Sequence, residues 1–473
     1  MKDYAIVGSG VGGSSIAALL NAKGFDVALF EKEPYLGGCS STFMHKGYKY
    51  NTGATTLAGY EEGHTVKEVF DAIGVKPNLI QTDPSIVIMQ NNKTTPRYKD
   101  FDAFFEAVNL NYPHQNNEEF WKLVYDINKD FYTMKDYYYA NENSFKKIKS
   151  LFSFFPLFMK FSKYLTVNAL NFTEKSLPEL GEEYLDFLQA QIYIVAQAPM
   201  KEINFLTAAL SLGYTFNTNH YVVGGFETLF NEMTKDIKDV YTKAEIVQIV
   251  QKETHFELHT KNEIFQAKKV ILNSTVYDSA KLFTKDTIKN YYKKYEKLNN
   301  YQSSFMLYMT IKSDKKFFHH YQLIQNAQLK NTLSKAVFVS FSDVSDTQIT
   351  KEGHYSITAS IHTDSRFWED TQNYKDQKEE LQSLVQGVIM QSLGISEEEI
   401  VQSFSATSKT FEHYLNRSQL GGNAMSMKNF LPFLPGNDTP IKNLYNVGDS
   451  VYAAQGWPGV MLGVKNLQRL LGV

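Results

Sequence analysis

The feature that most constrains the fold is a glycine pattern near the start of the chain, Gly8-x-Gly10-x-x-Gly13. A short apolar run at 4–7 precedes it, and a stretch with apolar residues at helical spacing, 14–20, follows it. A second apolar run, 26–30, ends at Glu31. This order of strand, glycine turn, helix and strand predicts a βαβ unit that holds the pyrophosphate of a dinucleotide at the helix N-terminus.

Each residue of the pattern has a physical task in that unit. Gly8 permits the tight turn, Gly10 lets the backbone approach the phosphates, and Gly13 allows close packing of helix and strand. Glu31, at the tip of the second strand, is placed to accept hydrogen bonds from ribose hydroxyls. An ordinary glycine turn is the alternative interpretation, but it does not require the acidic residue in register.

Size and composition exclude several classes of protein. With 473 residues, two domains are expected, and they could be interleaved. Lys plus Arg total 48 and Asp plus Glu total 51, so the net charge of −3 gives no general attraction for nucleic acid. The single cysteine, Cys39, excludes an internal disulfide and a thiolate metal cage. The histidines show no metal spacing, so we predict no metal site, and the pair His319-His320 is expected to be solvated.

The sequence also bears on where the protein acts. The first residues lead directly into the strand-like run at 4–7, without a targeting signal. No window contains the roughly 18 uncharged apolar residues that are needed to cross a bilayer. We therefore expect a cytoplasmic protein, either free or at the inner face of the membrane. Nothing in the sequence specifies an oligomeric state.

The cofactor-type segments are separated by long insertions. The sequence predicts an α/β protein whose Rossmann-like dinucleotide-binding domain is assembled from 1–80, 218–298 and 416–473. A mixed α+β substrate domain would then be formed by 81–217, which is mostly helical in pattern, and by 299–415, which contains several alternating strands.

Three further blocks of sequence carry a resemblance to a known family. Glu31-Lys32 is followed by Gly37-Gly38 and then by Cys39, Ser40 and Ser41. The second block runs from Gly224-Gly225 through Ile246 to Asn273, and the third contains Gly448-Asp449 followed by Gln455-Gly456-Trp457-Pro458-Gly459. Together with the glycine pattern, these blocks resemble the carotenoid isomerase, phytoene desaturase and retinol saturase family within the flavin amine oxidase superfamily. The matched blocks cover roughly 1–60, 218–280 and 410–473.

The resemblance implies FAD as the cofactor and assigns roles to particular residues. Gly38, Cys39, Ser40 and Ser41 would run beside the FAD diphosphate and ribityl chain, with Lys32 in the same block. Ile246 would meet the adenine through its backbone, and Asp449 beside Gly448 would bond the ribityl hydroxyls or the diphosphate amides. The amides of Val460 and Met461 would face the flavin pyrimidine edge, in a helix that starts near Pro458. Thr56, Tyr60 and Trp457 are candidates for lining the substrate pocket.

Two positions depart from the family pattern. Cys39 stands where some relatives carry Arg and others Ser, and we expect a small residue packed beside the diphosphate, the alternative being a redox thiol. Ala453-Ala454 replaces the common Phe-Pro pair, so the pocket beside the flavin ring would differ.

The resemblance implies an FAD-dependent oxidoreductase that acts on a long apolar substrate, such as a carotenoid-like polyene or another isoprenoid or lipid. Desaturation, saturation and cis-trans isomerisation all remain open as the reaction. A flavin amine oxidase and a non-enzymatic flavin-holding protein are the alternatives. The aromatic content of 14 % fits large apolar surfaces, and an AT-rich coding bias explains it equally well.

The segment 145–165 combines many phenylalanines with flanking lysines. Such a pattern is typical of a helix that lies in a membrane interface. A buried helical pair inside the substrate domain is an equal alternative. Pro156 is expected to break the segment into two short helices.

Overall fold

The computed structural model describes residues 1–134, 137–140, 144–370, 372–417, 419–427, 434–452 and 455–473. Ala453 and Ala454, which replace the Phe-Pro pair, lie outside the described residues. The strands are β1 (Lys2–Val7), β2 (Val27–Phe30), β3 (Thr42–His45), β4 (Tyr48–Asn51), β5 (Leu57–Ala58), β6 (Leu79–Gln81), β7 (Ile86–Gln90), β8 (Lys93–Arg97), β9 (Asn219–Val222), β10 (Asp239–Tyr241), β11 (Gln248–Gln251), β12 (Phe256–His259), β13 (Ile264–Leu272), β14 (Gln302–Lys312), β15 (His320–Ile324), β16 (Ala336–Phe341), β17 (His354–Asp364), β18 (Ile400–Ala406) and β19 (Leu444–Asn446).

The helices follow the apolar spacing of the sequence. They are α1 (Val11–Ala22), α2 (Thr65–Ala72), α3 (Phe101–Asn111), α4 (Asn117–Thr133), α5 (Ser144–Leu165), α6 (Ala169–Ser176), α7 (Glu182–Ala196), α8 (Phe205–Gly213), α9 (Phe226–Thr234), α10 (Asp286–Lys293), α11 (Tyr374–Leu393), α12 (Ser408–Leu415) and α13 (Gly456–Leu471).

The first large sheet has the strand order β10-β2-β1-β13-β12-β11, and β19 also pairs with β13. The strands β10, β2, β1, β13 and β19 run parallel, whereas β12 and β11 form an antiparallel extension. Helix α1 connects β1 to β2 and packs against α13 and α9. The predicted α/β fold with a Rossmann-like domain is confirmed, and its sheet uses strands from distant parts of the sequence.

The second large sheet has the order β18-β14-β17-β16-β15-β7-β8. Its longest pairing joins β14 and β17 antiparallel over their full lengths. Helix α11 covers one face with Leu381, Val385 and Ile389, which are buried against the apolar residues of the sheet. The opposite face turns towards the first sheet and the helices α3 to α8, which form a large aromatic core of their own.

Helix α5 differs from the expected pair of short helices. It continues through Pro156 as one helix, Ser144–Leu165. Proline removes only one backbone hydrogen bond, to the carbonyl of Phe152, and that residue is exposed so that water can take its place. The burial of Phe154, Leu157 and Phe161 on the inner face holds the helix together on both sides of the proline. Within the described part of the chain, every helix is too short or too polar to cross a bilayer.

Candidate functional site

Four parallel strands end at one edge of the first sheet and open a cleft of about 390 Å³ there. Gly8 follows β1, Glu31 follows β2, Asn273 follows β13 and Gly448 lies two residues after β19. All four residues line the cleft. Clefts at the carboxyl ends of parallel strands are where open α/β sheets bind their ligands.

The glycine loop is shaped by close contacts that a side chain would destroy. Gly8 has φ of 96°, and a Cβ atom on Gly13 would lie 2.0 Å from the carbonyl oxygen of Gly8. A Cβ on Gly10 would lie 2.7 Å from Nδ2 of Asn273. The loop therefore presents bare backbone to the cleft at the N-terminus of α1. Asn273 packs against this loop; its position after β13 was the available signal, but no role was predicted for it.

Glu31 is buried at the tip of β2, and its carboxylate is hydrogen-bonded to the glycine loop. Its carboxylate accepts hydrogen bonds from the backbone N–H of Ser9 at 3.0 Å, from the Ser9 hydroxyl and from the N–H of Glu33 at 3.0 Å. Lys32 also borders the cleft, but its Nζ donates to the carbonyl of His413 and to Oδ1 of Asn416. Lys32 thus fastens α12 and the residue after it to the rim of the cleft.

A second wall of the cleft is formed by Gly38, Cys39 and Ser40. Ser41 follows them but is fully buried, with its hydroxyl 2.7 Å from that of Thr52 and away from the cleft. Burial raises the pKa of the Cys39 thiol, so this residue stays protonated and has no thiolate character. The geometry favours Cys39 as a small packing residue over a redox thiol.

An ion pair lies at the same wall. Nη1 of Arg417 is 3.1 Å from Oδ2 of Asp449, and Nε of Arg417 donates to the carbonyl of Gln419 at 2.8 Å. Nη2 of Arg417 is buried and has no hydrogen-bond partner among the described residues. Arg417 escaped the sequence analysis because it belongs to none of the motifs.

The C-terminal helix begins near Pro458, as predicted. Helix α13 starts at Gly456 with Gln455 as its N-cap, two residues before Pro458. The amides left without partners at a helix start belong to the N-cap and the first turn, here Gln455, Gly456 and Trp457. Val460 borders the cleft, but its amide and that of Met461 fall within the hydrogen-bonded part of the helix, and Met461 is fully buried.

The remaining residue predicted to contact the cofactor, Ile246, also lines the cleft, together with Ala244 and Glu245. These residues lie at the far end from α13, just before β11. The cleft therefore extends from Ile246, past the glycine loop, to the N-terminus of α13.

A second cavity of about 530 Å³ adjoins the cleft. Helices α4, α5, α7 and α8 and the second sheet enclose it, and its walls are mainly apolar. Some residues line both spaces: Gly53, Ala54, Gln197, Ser304, Ser360, Gly421, Gln455, Gly456 and Trp457. The cleft and the cavity are thus continuous.

The three candidates for lining a substrate pocket differ in position. Thr56 and Trp457 line the cavity. The indole of Trp457 stacks on Phe226 at a ring distance of 5.6 Å. Tyr60 is not among the residues that line either space, and its ring packs against Phe70 and His220.

The expectation that His319 and His320 are solvated is wrong. Strand β15 lies between β16 and β7, so both edges of the strand are paired inside the sheet. His319 is within hydrogen-bond distance of the carbonyls of Phe341 and Thr55, and Nε2 of His320 is 3.0 Å from the Thr55 hydroxyl. Burial lowers the pKa of both imidazoles, and that of His320 lies well below its ordinary value. No cluster of metal-ligating side chains occurs within the described ranges.

Comparisons with known proteins agree with this geometry. Residues 6–73 match the family described as NAD(P)-binding Rossmann-like domain. A chloroplastic prolycopene isomerase of Daucus carota is 25 % identical over 96 % of this chain and 77 % of its own length. The all-trans-retinol 13,14-reductase of Homo sapiens is 28 % identical over 26 % of this chain and 21 % of its own length. The crystal structure of an oxidoreductase from Methanosarcina mazei has a TM-score of 0.66 at 15 % identity, covering 98 % of this chain and 99 % of that one.

The fold is that of an oxidoreductase with a Rossmann-like dinucleotide-binding domain, and the homologues of the chain are named enzymes. The chain is a homologue of prolycopene isomerases over nearly its whole length, and shorter stretches match a retinol reductase and a phytoene desaturase. The resemblance that the sequence motifs carried is confirmed.

Proposed function

We propose that this chain binds FAD without a covalent link in the cleft and acts on a carotenoid-like polyene or another long isoprenoid or lipid in the adjoining cavity. The continuity of the two spaces carries the proposal. A dinucleotide that extends from Ile246 past Gly10 would bring its redox-active end to Trp457, where the apolar cavity begins.

The residues around the cleft fit FAD. The bare glycine loop and the start of α1 suit the diphosphate, because free amides at a helix N-terminus favour negative charge. Glu31 suits the adenosine ribose, and Asp449 the ribityl hydroxyls. The free amides of Gly456 and Trp457 at the start of α13, rather than those of Val460 and Met461, would face the flavin pyrimidine edge. FAD, when bound, supplies the exchange of hydride with the substrate.

The cavity fits an apolar substrate better than a cationic amine. Apolar side chains from four helices line it, including Leu157, Leu165, Ile194 and Leu206. Among the described residues that line it, no Asp or Glu is present to pair with an ammonium group. The relatives that match over nearly the whole chain are prolycopene isomerases, so the flavin amine oxidase alternative has less support. The chain is an enzyme by its homologues, which leaves little support for a purely flavin-holding role.

We also propose that the outer face of α5 contacts a membrane surface. Phe152, Phe155 and Met159 are 75 %, 58 % and 63 % exposed, which is costly for side chains of this size when they cluster. On the inner face of the same helix, Leu157 and Leu165 line the cavity. A lipid-dissolved substrate could then enter beside α5 without crossing water. Lys149 and Lys163 lie near the two ends of the helix and suit anionic headgroups.

The experiment that tests the enzymatic proposal begins with the flavin. We expect a yellow protein whose FAD is released into the supernatant by acid precipitation, because Cys39 lies beside the glycine loop, where the diphosphate is expected, and no covalent tether is expected. Incubation of the FAD-loaded protein with phytoene, prolycopene and retinol, followed by chromatography of the extracted polyenes, should show conversion of at least one. Flavin that stays on the pellet contradicts the non-covalent assignment. A protein that takes up no flavin contradicts the proposed function.

A further inference from the structure

Where the cavity adjoins the cleft, its lining includes a group of polar residues on and beside the second sheet. Gln197, Ser304, Ser360 and His362 line it there, and we call these four residues the polar corner. Ser304 lies directly opposite His362 in the β14–β17 pairing. Ser360 and His362 are two residues apart on β17 and so point to the same face of the sheet. The pairing of the strands therefore fixes the polar corner rigidly.

His362 differs from the other three residues because it lines only the cavity. Gln197, Ser304 and Ser360 also border the cleft and are therefore accessible to a bound dinucleotide. His362 is one same-face position further along β17, roughly 6.6 Å from Ser360. It lies beyond the junction of the two spaces, on the substrate side.

The imidazole of His362 has no polar partner in the protein. The residue is 8 % exposed, and its ring meets Tyr193 edge to face at 4.9 Å. Neither ring nitrogen makes a hydrogen bond to a described residue, and neither is fully buried, so the polar edge of the ring is open to the cavity. A ligand atom that hydrogen-bonds to this edge is favoured, because the ring is largely removed from bulk water.

We infer that His362 anchors an oxygen atom of the substrate, so that this chain prefers polyenes that carry a hydroxyl or carbonyl group over pure hydrocarbons. The inference deepens the proposed function and rests on it. Burial lowers the pKa of His362 to about 4, so the ring is neutral at physiological pH. A neutral imidazole offers one donor and one acceptor, which match an alcohol fully and a carbonyl through the donor alone.

Equilibrium binding of two matched probes tests this role. All-trans-retinol and axerophthene, its deoxy hydrocarbon analogue, differ only at the oxygen atom. FAD-loaded protein would be equilibrated with each probe under argon at low temperature, and the bound fraction measured by polyene absorbance after filtration. The variant is His362→Phe, and the control is His354→Phe at the other end of β17, where the residue lines neither space.

The native protein should bind retinol about fivefold to tenfold more tightly than axerophthene, since one neutral hydrogen bond contributes roughly 1 kcal/mol. His362→Phe should remove this preference by weakening retinol alone, whereas His354→Phe should keep it. Should the Phe variant not fold, the smaller His362→Leu carries the same test.

Two results would overturn the inference while leaving the proposed function intact. One is equal affinity of the native protein for both probes, and the other is an unchanged preference in the apolar variant. If the native protein binds neither probe, the proposal that the cavity holds a polyene is contradicted, and so is the proposed role of His362.

Discussion

Arg417 and Asp449 form a partly buried ion pair across the wall of the cleft, with Nη1 and Oδ2 3.1 Å apart. Burial by itself lowers the pKa of Arg417, but the carboxylate of Asp449 outweighs it and keeps that pKa above its ordinary value. The guanidinium is therefore a permanent charge, with Nη2 left for a ligand. It also lies near the Cys39 thiol.

The first prediction concerns this ion pair. Arg417→Met should weaken FAD binding by about tenfold or more, because a charged donor to the diphosphate or ribityl region is lost and Asp449 is left unpaired. The FAD dissociation constant, measured by the recovery of flavin fluorescence on dilution, checks this. Arg366→Met is the matched control, since that arginine pairs with Asp364 outside the cleft. Native-like FAD affinity in Arg417→Met would show that the ion pair is structural and does not contribute to FAD binding.

The second prediction concerns Glu31. Glu31→Gln should weaken FAD retention by about tenfold, because charge-assisted hydrogen bonds contribute roughly 1.5–3 kcal/mol. The carboxylate also holds the N–H of Ser9, so the glycine loop should loosen as well. Isothermal titration with FAD gives the affinity. The temperature of thermal unfolding without FAD shows whether the glycine loop is destabilised. An unchanged dissociation constant would mean that Glu31 does not contact the ribose.

The third prediction is a loss of stability in mild acid. His320 and His362 have pKa values lowered by burial in the folded protein, to about 4 for His362. The unfolded chain, with an ordinary value near 6.5, takes up these protons first as pH falls. The free energy of unfolding is therefore highest above about pH 7, where both states are neutral at these residues. It falls progressively below that pH, by roughly 3 kcal/mol in total for His362 alone.

Urea unfolding at pH 7.5, 6 and 5 measures this slope. His362→Phe should make the dependence shallower, because one of the two imidazoles no longer titrates. A free energy of unfolding that stays constant over this range in the native protein contradicts the burial of neutral imidazoles.

The fourth prediction concerns α5. Phe154 lies in the segment 145–165, but it is buried and is unsuitable for the test. The triple change of Phe152, Phe155 and Met159 to Ser removes only exposed apolar surface. We expect the native protein to float with anionic liposomes, less so at high salt, and the triple variant to stay in the dense fraction.

The matched control removes exposed apolar side chains elsewhere, with Leu110→Ser and Phe318→Ser. It should float like the native protein. If the native protein does not float with either anionic or neutral vesicles, the outer face of α5 does not bind membranes.

The parts of the site that were predictable from sequence are those encoded within a few consecutive residues. Gly8, Gly10 and Gly13 set a turn whose conformation depends on the local backbone, and Glu31 follows from the length of one helix and one strand. These features survive in the structure because neighbours in sequence determine them.

The parts that were missed depend on which strands become neighbours. His362 belongs to the site because Ser304 pairs opposite it, and His320 is buried because β15 enters the middle of a sheet. Arg417 meets Asp449 across a separation of 32 residues. Pro156 predicted a break in the helix, but the packing of buried side chains on both sides of the proline keeps α5 continuous. Neither strand order nor packing can be derived from local pattern alone.

The edge where β1, β2, β13 and β19 end has a consequence for how the protein is made. The ribosome synthesises Gly8 and Glu31 about 400 residues before Gly448 and Asp449. The glycine loop can form early, because its contacts are local. The complete cleft forms only after β19 has paired with β13, and that pairing joins distant parts of the sequence. Cofactor capture should therefore be a late event of biosynthesis, and a stalled nascent chain should gain little from the presence of flavin.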